Sequence, residues 1–497
     1  MLLGTRTRRS ILRLGCVAAM LGLGVPEGEV RADPVAALSV AGRPVGPSED
    51  ARGLVADLAD AALERRVTLR VMGRPTHRTW RELGAEVDQE RLVGWIEAAR
   101  SPDSPMSEHA RDEGTSELAL RLPMRLDAEK AAEVLAQIAA RIDQPARDAR
   151  VNTDDGTITP DQEGRKVDVW ATLDALDTGL RGGAEEIEVV VLRTAAHRTD
   201  EELEGARFDT LLGSFQTPYN GMARDRTHNL RVAASKVDGL VLMPGETFDF
   251  NDHVGERSLA NGFKPATVIA GGELVDGVGG GACQITGTLH AAVFFAGLEI
   301  RERHPHSRPS SYIKLGLDAA VSYPNLSFAF RNDRDFPIYV RLKVSGGWTQ
   351  VELWGASRTD EVKFMRRIDE VLPFEERETQ DSNLPAGVRV LSQRGVPGFV
   401  VSRWRLRRDV NTNITTREMS SDRYPPTTQI WRVGTGGPVP ADYEPPAGDE
   451  HDEYTADEYT VMTQGPGIEE TETIRRAGRT GTPGWTVRQG MPGVEPE

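Results

Sequence analysis

The sequence predicts a multi-domain α+β protein, with α/β modules at the N-terminal end, a mixed α/β centre ending in an antiparallel hairpin, a small β module and a disordered acidic tail. Three observations lead there. The 497 residues are 38% hydrophobic and 6% aromatic, too long and too polar for one compact domain, so two to four domains plus flexible segments are expected. The hydrophobic period switches between helical spacing and strand alternation as far as Gly355, after which short strands punctuated by Pro and Gly follow. The formal charge of −16 is also uneven: residues 441–497 carry 13 acidic and 4 basic residues and so supply −9 of it. Such a tail is solvated and self-repelling. No basic patch with interleaved aromatics occurs, so nucleic acid is not an expected partner.

Residues 1–32 read as an export signal. Arg6, Arg8, Arg9 and Arg13 make a basic start, Leu14 to Val25 a short apolar run, and Val30-Arg31-Ala32 a site for cleavage before Asp33. The run Thr7-Arg8-Arg9-Ser10-Ile11-Leu12-Arg13 resembles a twin-arginine signal, leaving that route and ordinary secretion both open. An apolar run this short does not span roughly 30 Å of hydrocarbon, so membrane contact is expected only during export and the destination is the periplasm or cell wall. Cys16 precedes most of the apolar run, the wrong order for a lipoprotein signal, and leaves with the signal. Cys283 is then the one thiol of the mature protein.

Residues 33–204 show a strand-like Val67 to Val71, then Trp80 to Asp88, then helical stretches at Glu90 to Ala99 and Ala128 to Ile142. A partial echo follows: Gly164 to Asp168 leads into a helical Val169 to Leu180 and a strand at Ile187 to Leu192. Trp80, Trp95 and Trp170 are scattered and form no glycan-stacking row.

The central region, 205–357, contains the chemistry. Leu230, Ala233 and Val237 fall at helical spacing, and Leu240 to Met243 is a short strand stopped by Pro244-Gly245. Gly279-Gly280-Gly281 precede Cys283, and glycines allow positive φ and close approach of backbone to a ligand. Ile285, Leu289, Ala292, Val293 and Ala296 then repeat as a helix that stops at Gly297, placing Cys283 at a helix N-terminus. There the dipole and unpaired N–H groups favour a thiolate and could hold an oxyanion. A buried, structural cysteine is the alternative reading. A thiolate nucleophile needs a base, and His304 and His306 lie on one face of a segment broken by Pro305. His290, seven residues after Cys283, is a third candidate but reads as structural, as do His228 and His253. Leu326, Phe328 and Phe330 alternate, as do Ile338 to Val344 and, after Ser345-Gly346-Gly347, Thr349 to Leu353, which makes a terminal hairpin. Phe328, Phe330, Trp348 and Trp354 are expected in the core.

The stretch from about Leu211 to Gly355, about 145 of 497 residues, resembles the VanW domain, a family named for an accessory gene of vancomycin-resistance clusters. The resemblance runs through Arg226 to Arg231, Pro244 to Asn251, Gly277 to Gln284, Glu302 to Pro309, Gly316 to Val321 and Phe330 to Asn332. It implies a peptidoglycan-directed protein, acting on stem peptides and glycan, with Cys283 as nucleophile, His306 as base and Asp318 orienting the imidazole, as in an L,D-transpeptidase. It further assigns Gly279, Gly280, Gly281 and Gln284 to the turn and oxyanion site, and Arg231 and Arg303 to substrate binding. No cofactor is implied: neither zinc-ligand spacing nor a phosphate loop is present. A non-catalytic wall-binding scaffold is the competing reading. Region 33–204 resembles the peptidoglycan-binding module often found ahead of VanW domains, with a spacer as the alternative. Residues 358–437, with Asn383 to Gly387, Gly395, Gly398 and Trp431 to Gly436, resemble the wall-associated β module named for its five glycines. Residues 438–497 are expected to lack a packed core. Nothing in the sequence sets the oligomeric state.

Overall fold

The computed structural model describes residues 37–480 apart from 115, 116, 271, 272, 450 and 452. The export signal expected at residues 1–32 therefore lies outside the described residues. No described helix is long and apolar enough to cross a membrane. The chain forms two compact units: the described residues to Gln144 with Arg165–Arg193, and Pro145–Gly164 with everything from Thr194. Residues 145–164, expected with the N-terminal region, thus cluster with the second unit.

The first unit is α/β, as its periodicity predicts. The strand Arg66–Val71 pairs in parallel with Glu186–Val189, Leu69 opposite Ile187, and antiparallel with Arg74–Thr79. Helices Ala128–Ile142 and Val169–Gly182 cover this small sheet, burying Leu135, Ile138, Leu176 and Leu180 against Val67 and Leu69. Helices start where the sequence supplies a side-chain acceptor for the orphan N–H groups. Asp50, Asp88, Asp127 and Asp168 each cap one, over Ala51–Leu63, Gln89–Arg100, Ala128–Ile142 and Val169–Gly182. The strand read at Ile187 to Leu192 breaks at Val190, whose N–H turns to the Thr172 hydroxyl at 3.1 Å. Trp80 is fully buried and Trp170 is 83% exposed, so the tryptophans form no common face.

Two larger sheets organise the second unit. In the first, Thr210–Pro218, Trp348–Gly355, Ile338–Ser345 and Val241–Leu242 lie side by side, all antiparallel. The hairpin closes at Ser345 opposite Trp348 through Gly346 and Gly347, both at positive φ, as a two-residue turn that follows strand twist requires. Trp348, expected in the core, is 45% exposed because it sits at the hairpin tip rather than on the inward face. Helices Arg224–Val237 and Ala282–Phe295 pack against this sheet, burying Leu230, Val237, Ile285, Leu289 and Val293 with Val340, Val351 and Leu353. The Ala282–Phe295 helix is buried all round, consistent with an interior element.

The β module supplies the second sheet. Thr415–Tyr424, Gly398–Asp409, Asp360–Leu372, Ala456–Gly465 and Ile468–Thr480 are neighbours in that order. A three-stranded sheet of Glu376–Asp381, Gln429–Gly434 and Arg389–Gln393 completes the module. One expectation is corrected. The tail is not structureless: Ala456–Gly465 pairs with Val362 to Arg367 and buries Ala456, Tyr459 and Met462. The module also shares a core with the central region. Val362, Phe364 and Met462 join Phe294, Phe295, Ile313 and Leu317 of the central region in one cluster.

Candidate active site

The glycine turn follows a hairpin in which Pro265–Ala270 pairs with Glu273–Val278. Gly281, at φ +117°, is the residue before the helix Ala282–Phe295, so Cys283 occupies its first turn, as the sequence predicts. Gly280 is held by close approach rather than by φ: a Cβ there would stand 2.4 Å from the Thr267 carbonyl oxygen. Asn229, fully buried on the Arg224–Val237 helix, fastens the turn. Its amide donates to the carbonyls of Lys264 at 2.9 Å and Gly280 at 3.2 Å, and its oxygen accepts from Lys264 N–H at 2.8 Å. In the first helical turn the N–H groups of Ala282, Gln284 and Ile285 bond to Gly279 and Gly281 carbonyls. Among the described residues, the Cys283 N–H has no acceptor.

Cys283 is partly exposed. Its Sγ meets the Val321 backbone twice, with the N–H and the carbonyl oxygen each at 3.5 Å. Val321 lies just beyond Asp318, so one loop brings both to the thiol. His306 is 4% exposed and interacts with Cys283 on one side. On the other, its Nδ1–H donates to Asp318 Oδ2 at 2.7 Å, and its backbone N–H donates to the same oxygen at 2.9 Å. Tyr312 Oη approaches Nε2 at 3.4 Å. Cys283, His306 and Asp318 are therefore brought together.

The electrostatics follow from this contact order. Burial opposes the charged thiolate, but the His306 hydrogen bond and charge, the Val321 N–H and Arg257 together bring the Cys283 pKa below its ordinary value. Burial likewise opposes the imidazolium, and Asp318 and Cys283 outweigh it, raising His306. Asp318, whose burial is overcome by Arg303 and His306, is held well below the usual carboxylate range. The set thus favours a thiolate beside an imidazolium beside a carboxylate.

Other expected site residues are placed differently. Arg303 is turned inward: its side chain is 3% exposed, donating to Asp318 Oδ1 at 2.7 Å, to the Asp318 carbonyl at 2.7 Å and to Asp422 at 2.5 Å. Two neighbouring carboxylates draw it inward. The Gln284 side chain is likewise committed, donating to Thr217 at 3.1 Å and the Pro218 carbonyl at 2.8 Å and accepting from Arg226 at 3.1 Å, which leaves no donor for an oxyanion. Arg231 is exposed, and two residues, or about 200° of helix, separate it from turn-binding Asn229, so it points away. His304 pairs at the surface with Glu302 at 3.0 Å. His290 is buried with Nδ1 2.7 Å from the Leu317 carbonyl, a structural histidine as read.

Sequence reasoning missed Arg257, Tyr312, Tyr424 and Asp422. Arg257 packs its Cβ where a Gly279 side chain would stand, lies over the Phe250 ring at 5.3 Å and adds a positive charge near Cys283. Tyr424 Oη donates to Asp318 Oδ1 at 2.6 Å. Tyr312 lies within the run that follows His306 and was within reach of local reading; Tyr424, 106 residues from Asp318, was not. No group of acidic, His and Cys side chains suited to a metal occurs among the described residues.

A thiol, imidazole and carboxylate in sequence at a glycine-bounded helix start define the class: a domain with a cysteine–histidine–aspartate centre. The family profile described as "VanW like protein" matches residues 225–354, which include that centre. A profile described, provisionally, as a peptidoglycan binding domain matches residues 81–188, and the G5 domain profile matches 366–436. "Uncharacterized protein YoaR" of Bacillus subtilis (strain 168) is 35% identical over 232 residues, 46% of this chain and 76% of that protein. "Vancomycin B-type resistance protein VanW" of Enterococcus faecalis (strain ATCC 700802 / V583) is 32% identical over 125 residues, 24% of this chain and 46% of that protein. The chain belongs to the VanW family, with the three domains in the predicted order. It is a cell-wall, peptidoglycan-associated member. Among solved structures, "IgA1 Protease G5 domain structure" is 23% identical, covering 16% of this chain and 99% of that one, with a TM-score of 0.11.

Proposed function

We propose that this protein is a cysteine acyltransferase acting on peptidoglycan stem peptides, of the L,D-transpeptidase type. The observation that carries the reading is the buried His306–Asp318 pair beside the partly exposed Cys283 in the first turn of a helix. Cys283 thiolate attacks the carbonyl carbon of the L,D peptide bond preceding a terminal D-alanine. The tetrahedral oxyanion meets the Cys283 N–H and the helix dipole. As it collapses, the carbon–nitrogen bond breaks, His306 gives its proton to the departing amine, and a thioester remains. An amine from a neighbouring stem then attacks the thioester, passes a proton to His306 and expels the thiolate, closing the cycle. With water as acceptor the same steps make a carboxypeptidase. Asp318 stays ionised throughout, fixing the imidazole's Nδ1–H.

A scaffold role is the second reading. A cavity of about 480 Å³ in the same unit, lined by residues including Asp148, His197, Arg198 and Glu246, includes none of the cysteine site and would serve binding without chemistry. The test is incubation of the mature protein with tetrapeptide muropeptides, with mass spectrometry for a Cys283 thioester or a cross-linked dimer. Acyl transfer requires that Cys283→Ala abolish both; an equally active Ala variant, or no adduct on the parent protein, leaves the scaffold reading.

A further inference from the structure

The carboxylate end of the Cys–His–Asp set is not finished by the VanW region. Asp318 Oδ1 accepts from Arg303 at 2.7 Å and from the Tyr424 hydroxyl at 2.6 Å, and both donors are tied to the β module. Tyr424, fully buried, ends the strand Thr415–Tyr424, and its hydroxyl oxygen also accepts from Gly316 N–H at 2.9 Å in the loop that carries Asp318. Asp422, two residues earlier and on the same inward face, accepts from Arg303 at 2.5 Å and pairs with Arg403 at 3.2 Å. The charges alternate: His306 and Arg303 flank Asp318, and Arg303 and Arg403 flank Asp422. The adjacent strand holds the far end of the cysteine helix. Arg405 donates to the Phe294 carbonyl at 2.8 and 3.1 Å and the Leu298 carbonyl at 2.9 Å, supplying the partners that a buried helix C-terminus lacks.

We infer that the β module is a working part of the cysteine site, with Tyr424 and Asp422 as positioning residues that hold Asp318 and Arg303, and through them His306, in line with Cys283. The physical reason is that a buried carboxylate between two cations is free to swing toward either. Tyr424 pins Oδ1 on the arginine side, leaving Oδ2 for the imidazole. Asp422 takes up the second face of the guanidinium, so Arg303 does not draw the whole Asp318 carboxylate away from His306. Both residues act through Asp318; neither touches the thiol.

The consequence for acyl transfer rests on the function proposed above, but the positioning itself is testable without substrate. In the full-length chain, the rate of Cys283 alkylation by iodoacetamide is followed across pH, with the adduct located by mass spectrometry. Tyr424→Phe is expected to slow alkylation near neutral pH about tenfold, the scale of one hydrogen bond to a charged group. Asp422→Asn leaves Arg303 with Asp318 as its remaining carboxylate and draws that carboxylate away from His306, so His306 loses its proton at lower pH and the alkaline arm of the profile moves acidward by about one unit. Asp422→Glu restores it. Met419→Ala, an exposed position on the same strand, changes neither. Thermal unfolding of each variant separates loss of fold from loss of alignment, and Asp422→Asn decides the matter if Tyr424→Phe does not fold. Wild-type rates and profiles in both folded variants overturn the inference. Absence of a muropeptide adduct on the parent protein would instead overturn the acyl-transfer reading and leave this result standing.

Discussion

Asp318→Asn is the substitution that most directly interrogates the centre. Four donors converge on this carboxylate: His306 N–H at 2.9 Å, His306 Nδ1–H at 2.7 Å, Arg303 at 2.7 Å and Tyr424 Oη at 2.6 Å. An amide has one acceptor oxygen, so whichever way it turns, its NH₂ faces donors. The Arg303 guanidinium cannot become an acceptor, whereas imidazole can, so the amide turns its NH₂ to Nδ1 and drives the ring proton to Nε2. Facing Cys283, that tautomer has no lone pair for the thiol proton. A hydrogen bond to a charged group is worth about 1.5–3 kcal/mol, and about 1.4 kcal/mol corresponds to one pKa unit. His306 should therefore fall by about one to two units, and the thiol should return to about 8.5 or above. Stability should drop by about 3 kcal/mol, the lower end for breaking a buried pair, because Arg303 keeps Asp422. The assays are iodoacetamide alkylation against pH and denaturant unfolding. A parent-like alkylation profile in a folded Asn variant would refute the electrostatic role given to the His306–Asp318 contact.

The pH dependence of thioester formation follows from two opposed shifts. Cys283 is depressed, so its thiolate is present above that lowered pKa and lost as pH falls through it; His306 is raised to about 10, so its proton is held below that value and lost above it. A bell is expected, with its acid limb below the free-thiol value of about 8.5, and a flat profile between these limits and beyond them would contradict the ion pair. Gly280→Ala should cut thiol alkylation more than tenfold with an overpacking loss of about 1–3 kcal/mol, since its Cβ would stand 2.4 Å from the Thr267 oxygen; circular dichroism and the alkylation rate test it together. Truncation after residue 455 removes Tyr459 and Met462 from the core and the Thr460 hydroxyl from Arg366, with which it bonds at 2.9 Å. At about 1.5–3 kcal/mol for each large apolar side chain, the melting temperature should fall by about 10 °C, and an unchanged melt would show that the strand adds nothing to the fold.

Local rules made much of this legible. The helical spacing after Cys283 and the period-two runs of Ile338 to Val344 and Thr349 to Leu353 are each decided within one or two turns of chain, and the elements form there. Local reading offered His304 and His306 as bases; resemblance selected His306 and supplied Asp318, and the fold brings both to the thiol. What failed depended on distant partners. Arg303 sits in a motif but is claimed by Asp422, 119 residues away, and Gln284 by Thr217, 67 residues before it. The Ala456–Gly465 strand was hidden by the acidity of its surroundings, since a composition window averages its few apolar residues with the many acidic ones.

The helix Ala282–Phe295 begins at the thiol and ends among Phe294, Phe295, Val362, Phe364 and Met462. Its two ends therefore answer to different stretches of the chain, and the seam between the two family profiles, near residue 360, runs through a single hydrophobic interior. Recombination between relatives at that seam would break packing on both sides unless the partner sheet travelled too. Natural exchange of wall-associated modules in this lineage should then leave everything from residue 194 inherited as one piece, together with residues 145–164, which cluster with it.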